Sequence, residues 1–271
     1  MNDKLQQIST KSAALTTHER RQTLIDLLRK QPGLRVPEIA EQLGISEGTV
    51  RNDLNALESG GQLTRVHGGA VLNDGIPPFF NIRQEFNSRE KNSIGRQAAG
   101  MIADGDSIYL DSSSTAYYLA LNLKSKHRLR VVTNGMDVAR LLAQNPDNVV
   151  ILIGGVLSQD GSSLTGLVSE QIISELHVQK AFVSCSGFSL GRGLTEVFLE
   201  EAQLKRKILA SAGKLFALVD STKIGKDDLT AFARPDQITH LYTDYLLPSG
   251  WAERLAQEQI QFTVCSADDQ P

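Results

Sequence analysis

The amino-acid sequence predicts an α/β protein in two parts. An N-terminal winged helix-turn-helix domain spans residues 16–72, a linker covers 73–87, and a larger α/β domain with a mostly parallel sheet fills 88–271. Two observations carry this. Three short stretches with apolar residues at helical spacing lead into a basic segment bracketed by glycine pairs. From Ser107 onward one unit then recurs: a short β-rich run, a turn rich in Ser, Thr and Gly, and a helical stretch. A chain of 271 residues, 41% hydrophobic and 22% charged, suits two folded domains.

The first helix is expected from Thr17, where "THERRQTLIDLLRK" places Leu24, Leu27 and Leu28 at helical spacing and "QPG" stops it. The second, "RVPEIAEQLG", repeats the spacing with Val36, Ile39, Ala40 and Leu43, carries a proline in its first turn and ends at Gly44. Ser46 can cap a third helix in which Val50, Leu54 and Leu57 face inward. At about 100° per residue the opposite face holds Gly48, Asn52 and Asn55, flanked by Thr49 and Arg51. Such a small, polar, donor-rich face suits a major groove, where Arg and Asn reach base edges while Ser46 and Thr49 hold phosphates. A solvated helix face is the plainer alternative. The next stretch, "GGQLTRVHGGAVL", decides between them: its alternation and inner "HGG" turn give a hairpin wing with Arg65, His67 and Gly68 placed toward the DNA backbone or minor groove.

In the second part "SIYLDSSSTAYYLALNL", "LRVVTNGMDVARLLAQ", "VVILIGGVLSQDGSSLTGLVSEQIISEL", "KAFVSCSGFS" and "LFALVDSTKIG" follow one another. Apolar strands alternating with helices imply a parallel sheet covered on both faces, with any ligand bound beyond the strands' C-terminal ends. Those ends supply Asp111, Ser112, Ser113, Ser114 and Thr115, then Thr133 and Asn134, Gly154 and Gly155, and Lys223. Each turn taken singly is a turn or a helix cap, but "DSSST" runs straight into a helix and so forms a cradle for an anion. Asp111 is expected to accept hydrogen bonds from sugar hydroxyls. Lys223 is the preferred cation and Lys205 the second, since "EEAQLKRKIL" reads equally as a solvated helix face.

Composition narrows the partners. The formal charge is −3, with +1 on residues 1–72 and −4 on the rest, so charge alone does not identify a nucleic-acid binder. No apolar run approaches the roughly 18 to 20 residues that cross a bilayer, and the first residues lack signal-peptide character, which predicts a cytoplasmic protein with no membrane partner. Cys185 and Cys265 read as buried free thiols. The five histidines show no metal-ligand spacing, and no GxGxxG follows a strand. No metal, cofactor or catalytic residue is assigned.

The stretch from Arg20 to Leu72 resembles the winged helix of the DeoR family of bacterial transcriptional regulators. The family joins a Thr-(Ile/Val)-Arg-Arg-Asp-Leu helix to an Arg-Val-His-Gly-Gly-Ala wing, and these read here "TVRNDLNAL" and "TRVHGGA". Asn52 replaces the usual second arginine, removing one cation from the DNA face. Asp53 is expected to orient Arg51 or cap locally, because phosphate repels a carboxylate. From Ser88 to Leu247 the chain resembles the family's sugar-phosphate sensor domain, whose Asp-Ser-Gly-Thr-Thr, Thr-Asn, Gly-Gly, Glu-Ala-x-x-Lys-Arg and Asp-Ser-Ser-Lys elements are matched by "DSSST", Thr133–Asn134, Gly154–Gly155, "EAQLKR" and "DSTK". Ser113 stands where the family has Gly, and "SCSG" replaces Gly-Ala-Asp-Gly. The resemblance implies a fold similar to ribose-5-phosphate isomerase and a repressor whose binding to double-stranded DNA is controlled by a phosphorylated sugar or related anionic metabolite. A homo-oligomer, dimer or tetramer, is expected because specific binding pairs two half-sites. Two alternatives are a sugar-phosphate isomerase-like enzyme with an appended DNA-binding module, with Glu196, Glu200 and Glu201 as nearby acids, and a ligand-blind architectural DNA binder. The second leaves the turn constellation unexplained.

Overall fold

In the N-terminal unit local residues set the limits of the first three helices. A computed structural model describes residues 16–31, 33–60, 62–66, 69–72 and 79–267, which divide into compact units at Phe86/Asn87. Helix α1 (Thr17–Lys30) starts at Thr16, whose hydroxyl accepts from Glu19 N–H while the Glu19 carboxylate accepts from Thr16 N–H. Helix α2 (Val36–Leu43) carries Pro37 in its first turn and stops at Gly44, whose φ of +64° suits glycine. Helix α3 (Glu47–Ser59) is capped by the Ser46 hydroxyl, which accepts from Thr49 N–H at 3.1 Å.

Leu24, Leu28, Ile39, Val50, Leu54 and Leu57 close into one apolar core with Leu63 and Ala70 of the hairpin. The hairpin pairs β1 (Leu63–Val66) with β2 (Gly69–Leu72), Arg65 opposite Ala70. Gly69 is required by close approach: a Cβ there would stand 2.6 Å from the Leu34 carbonyl oxygen. His67, Gly68 and the "NDGIPP" run lie outside the described residues. Within the expected linker, α4 (Phe80–Glu85) is helical, with Ile82 buried beside Gly33.

The C-terminal unit opens with α5 (Ser88–Ala99) and is built on seven parallel strands. In chain order these are β3 (Ser107–Leu110), β4 (Arg130–Thr133), β5 (Val149–Leu152), β8 (Val178–Val183), β11 (Ala212–Leu218), β13 (His240–Asp244) and β14 (Phe262–Cys265). Their spatial order is β14-β13-β11-β8-β3-β4-β5. The chain therefore lays down β3, β4 and β5 in one direction, then returns to place β8 on the other side of β3. That reversal is the topological switch point, where open parallel sheets hold their ligands.

Helices α6 (Ser114–Leu121), α7 (Met136–Leu142), α8 (Leu167–Ser174), α9 (Leu199–Ser211) and α10 (Trp251–Gln257) cover the sheet, giving two apolar cores, one around Phe188, Ile208 and Trp251 and one around Ile108, Leu119 and Phe182. The sheet is wholly parallel. Among the described residues of this unit, antiparallel strand pairs join β9 (Gly187–Ser189) and β12 (Thr230–Ala233) to β10 (Gly193–Glu196), and β6 (Val156–Leu157) to β7 (Leu164–Thr165).

Candidate nucleic-acid interface and anion site

On α3 the expected outward face is present: Ser46, Gly48, Arg51, Asn52 and Asn55 are exposed and Thr49 is half-buried, while Val50, Leu54 and Leu57 are buried. Arg51 pairs with Glu47 at 2.6 Å, one turn earlier on the same helix. The wing is tied to α3 through Arg65, whose backbone N–H donates to Glu58 at 2.7 Å and whose Nη1 donates to Asn55 Oδ1 at 2.6 Å. Helix and hairpin thus present Asn55 and Arg65 as one hydrogen-bonded pair.

Asp53 departs from expectation. It is buried and does not touch Arg51; Arg20 Nε and Arg21 Nε of α1 donate to it at 2.5 and 3.0 Å. Burial works to raise the Asp53 carboxyl, and the hydrogen bonds and charges of the two arginines overcome this, holding it below the ordinary carboxylate value. The reason is positional: residue 53 lies at the edge of the core-facing stripe, where a carboxylate needs a cation from a neighbouring element. Sequence reasoning missed Arg20 and Arg21, which on α1 alone look like a solvated face. The signal was an acid beside the buried stripe of α3.

In the C-terminal unit the strand-end turns meet at the β3/β8 switch point. Asp111 is fully buried, and both its oxygens are occupied. Oδ1 accepts from Ser113 N–H at 3.0 Å and the Ser113 hydroxyl at 2.5 Å; Oδ2 accepts from Ser184 N–H at 2.8 Å and faces Lys205 Nζ at 3.0 Å. Asp111 therefore clamps the ends of β3 and β8 together, which corrects the expectation that it meets sugar hydroxyls. Ser113 is likewise structural: it caps α6, its hydroxyl accepting from Ala116 N–H at 3.0 Å.

Lys205 is not on a solvated helix face. Its Nζ donates to Glu196 Oε1 at 2.6 Å and the Ser184 carbonyl at 2.9 Å, and lies 5.1 Å from the Phe232 ring centre. Burial disfavours its charge, but Asp111, Glu196 and Glu201 more than offset this and raise its pKa. Glu201 is raised by burial, against Lys205 and with Glu196 and Asp111, and accepts from the Ser163 hydroxyl at 3.1 Å. Glu196 also accepts from Ser186. Glu200 is exposed, so of the three glutamates only Glu196 and Glu201 reach this cluster.

Asn134 is buried and accepts from the Tyr109 hydroxyl at 2.7 Å while donating to Leu164 O and, at 3.4 Å, to Ser112 Oγ; the Thr133 hydroxyl accepts from Gly135 N–H. Gly155, with φ +153°, touches the β7 backbone: a Cβ would meet Thr165 O at 2.3 Å, whereas one on Gly154 would meet nothing within 4 Å. The other expected ligand residues are Ser112, Ser114 and Thr115, all buried at the start of α6, and Lys223. The last is half-buried, makes no ion pair among the described residues, and with Lys205 stands close enough to the buried Cys185 thiol to oppose its upward shift. Sequence reasoning missed Tyr109, which lies in an apolar strand, and Ser163. Among the described residues no cluster of His, Cys, Asp and Glu forms a metal centre, and no helix is long and apolar enough to cross a membrane.

Residues 20–75 match the DeoR-like helix-turn-helix domain and residues 86–245 the DeoR C terminal sensor domain. The HTH-type transcriptional regulator GolR of Listeria innocua is 38% identical over 228 residues, covering 83% of this chain and 90% of that protein. The lactose phosphotransferase system repressor of Streptococcus mutans is 35% identical over 231 residues, covering 83% and 91%. Among solved structures, ribose 5 phosphate isomerase A from Neisseria gonorrhoeae aligns with a TM-score of 0.37 at 14% identity over 52% of this chain and 54% of that one.

Proposed function

The chain belongs to the DeoR family of DNA-binding transcriptional regulators, and from that premise we propose that it is a repressor whose operator affinity is set by a phosphorylated sugar or related anionic metabolite at the β3/β8 switch point. One observation carries this reading. At that crevice Lys205 is held between the buried carboxylates of Asp111 and Glu196, while Lys223, half-buried just beyond β11 and close enough to Cys185 to act on its thiol, makes no ion pair among the described residues. An anion held by Lys223 and the α6 N–H groups completes the pattern. The repressor names of the relatives agree with it.

The test is calorimetry with matched pairs of sugar and sugar phosphate. The phosphorylated member binds and its parent does not, and Lys223→Ala weakens that binding while leaving ligand-free DNA affinity unchanged. Equal affinity for both members sinks the reading. A coupling of about 1–3 kcal/mol between effector and DNA, some 5- to 150-fold, suffices for the switch.

Catalysis is the second reading, favoured by Glu201, a carboxyl raised in pKa beside Lys205. The ion pair of Glu196 with Lys205 and the Ser163 bond to Glu201 engage both acids in the protein itself, which supports sensing over proton transfer. Conversion of ribose 5-phosphate to ribulose 5-phosphate by the purified protein, abolished by Glu201→Gln, is the outcome that favours the enzyme.

Self-association is part of the proposal. Val149, Ile151, Leu152, Val156, Leu157, Leu167 and Val168 are all exposed along β5, β6 and the start of α8, and residues 148–169 carry a single charge, Asp160. β5 is an edge strand. An uncharged apolar edge is self-complementary under a two-fold axis, which favours a second copy of the chain as its partner.

A further inference from the structure

Asp53 has two guanidinium partners where one neutralises it. Arg20 engages both carboxylate oxygens, Nε to Oδ2 at 2.5 Å and Nη2 to Oδ1 at 3.1 Å, while Arg21 reaches Oδ1 through Nε alone at 3.0 Å. The Arg20 fork satisfies the buried charge by itself. Arg21 leaves one positive charge in excess at this corner of α3, and its two terminal amino groups bond to no other described residue. Its side chain is 36% exposed, against 18% for Arg20 and 2% for Asp53. A guanidinium fixed at Nε and open at both amino groups is preorganised for a phosphate oxygen.

Its place in the unit fits that use. At about 100° per residue, Asp53 lies at the edge of the core-facing stripe of α3, on the side of Thr49, and Glu58, which anchors the wing, lies on the other side of the outward face. The base-facing stripe is thus bordered by the α1 arginines on one side and by Arg65 on the other, as a helix in a major groove is bordered by two phosphate backbones. We infer that Arg21 is a DNA phosphate contact, with Arg20 and Asp53 as the positioning residues that hold it. The inference rests on α3 being the DNA-facing helix.

The experiment is a salt titration of binding to a mixed-sequence duplex and to a genomic fragment that the wild type protects. Arg21→Gln weakens both alike and makes the slope of log K against log salt shallower by about 0.9, one phosphate contact fewer, while Arg21→Lys restores the slope. The melting temperature stays near that of the wild type because Arg20 still pairs with Asp53. Should the glutamine variant not fold, phenylglyoxal modification of the wild type followed by mass spectrometry gives the same answer: duplex DNA protects Arg21. An unchanged slope in Arg21→Gln, or an Arg21 that DNA does not protect, overturns the inference and leaves the DNA-facing reading of α3 intact. A wild type that binds neither duplex at low salt overturns both.

Discussion

Lys205 and Lys223 are two lysines in one unit with opposite expected behaviour. Lys205 Nζ lies 3.0 Å from Asp111 and 2.6 Å from Glu196, and all three residues are buried. Lys205→Met leaves two uncompensated buried carboxylates and is expected to lower the unfolding free energy by about 3–5 kcal/mol in urea denaturation. Lys223→Met, with no ion pair to break among the described residues, is expected to stay within about 0.5 kcal/mol. Similar losses for both would show that Lys223 is a structural cation and not a ligand group. Asp53 supplies a pH dependence. Its folded pKa lies below the ordinary 3.8, so its contribution is fully present above that value and is lost as pH falls through the lower, folded one. The difference in melting temperature between wild type and Asp53→Asn, measured at about pH 7 and about pH 3, therefore shrinks at the lower pH. A constant difference would mean that packing, not charge, holds α1 to α3.

At the scale of elements, the Gly154–Gly155 turn separates a structural from a permissive position. Ala at 155 drives a methyl to 2.3 Å from Thr165 O and 2.4 Å from Ser169 Oγ, on a backbone with φ +153°. Gly155→Ala is expected to destabilise the C-terminal unit by about 1–3 kcal/mol. Gly154→Ala, with no neighbour within 4 Å, should stay within about 0.5 kcal/mol, so any loss of effector binding there reports the ligand. Denaturant melts of the two variants check the contrast, and equal stability would show that β7 yields. Ser113 belongs to the same scale. Its hydroxyl both caps α6 and bonds Asp111, which accounts for a serine at that position and ties the helix start to the strand ends.

For the whole molecule the decisive quantity is the oligomer. Leu167 is 79% exposed, so Leu167→Glu disturbs no core, yet on the proposed two-fold face it sets like charges against each other. Sedimentation is expected to show an oligomeric wild type and a monomeric variant, with operator affinity reduced because two half-sites are no longer joined. A wild type that sediments as a monomer bound to DNA sinks the assembly.

The sequence by itself determined the order of the three helices and hairpin of the first unit and the recurring strand-turn-helix units of the second, but not α4 within the expected linker or the antiparallel strands β6, β7, β9, β10 and β12. Helical spacing, Ser and Thr caps, the Gly44 stop and the recurring strand-turn-helix unit are local signals, read within one or two turns of chain. It also determined the inward and outward faces of α3, and it named the strand-end residues on which the proposed ligand site is built. The partners of charges were decided by the tertiary structure alone. Asp53 sits 33 residues from Arg20, and Asp111 meets Ser184 N–H across 73 residues. Lys205 looks in its own helix like one charge of a solvated face and becomes the buried centre of three carboxylates only when β3 and β8 lie side by side. A short polar side chain at a strand end has the same local signature whether it caps a helix, clamps two strands or faces a ligand. Which of these it does depends on the neighbours that the sheet order brings to it, and that order is a property of the whole packed chain.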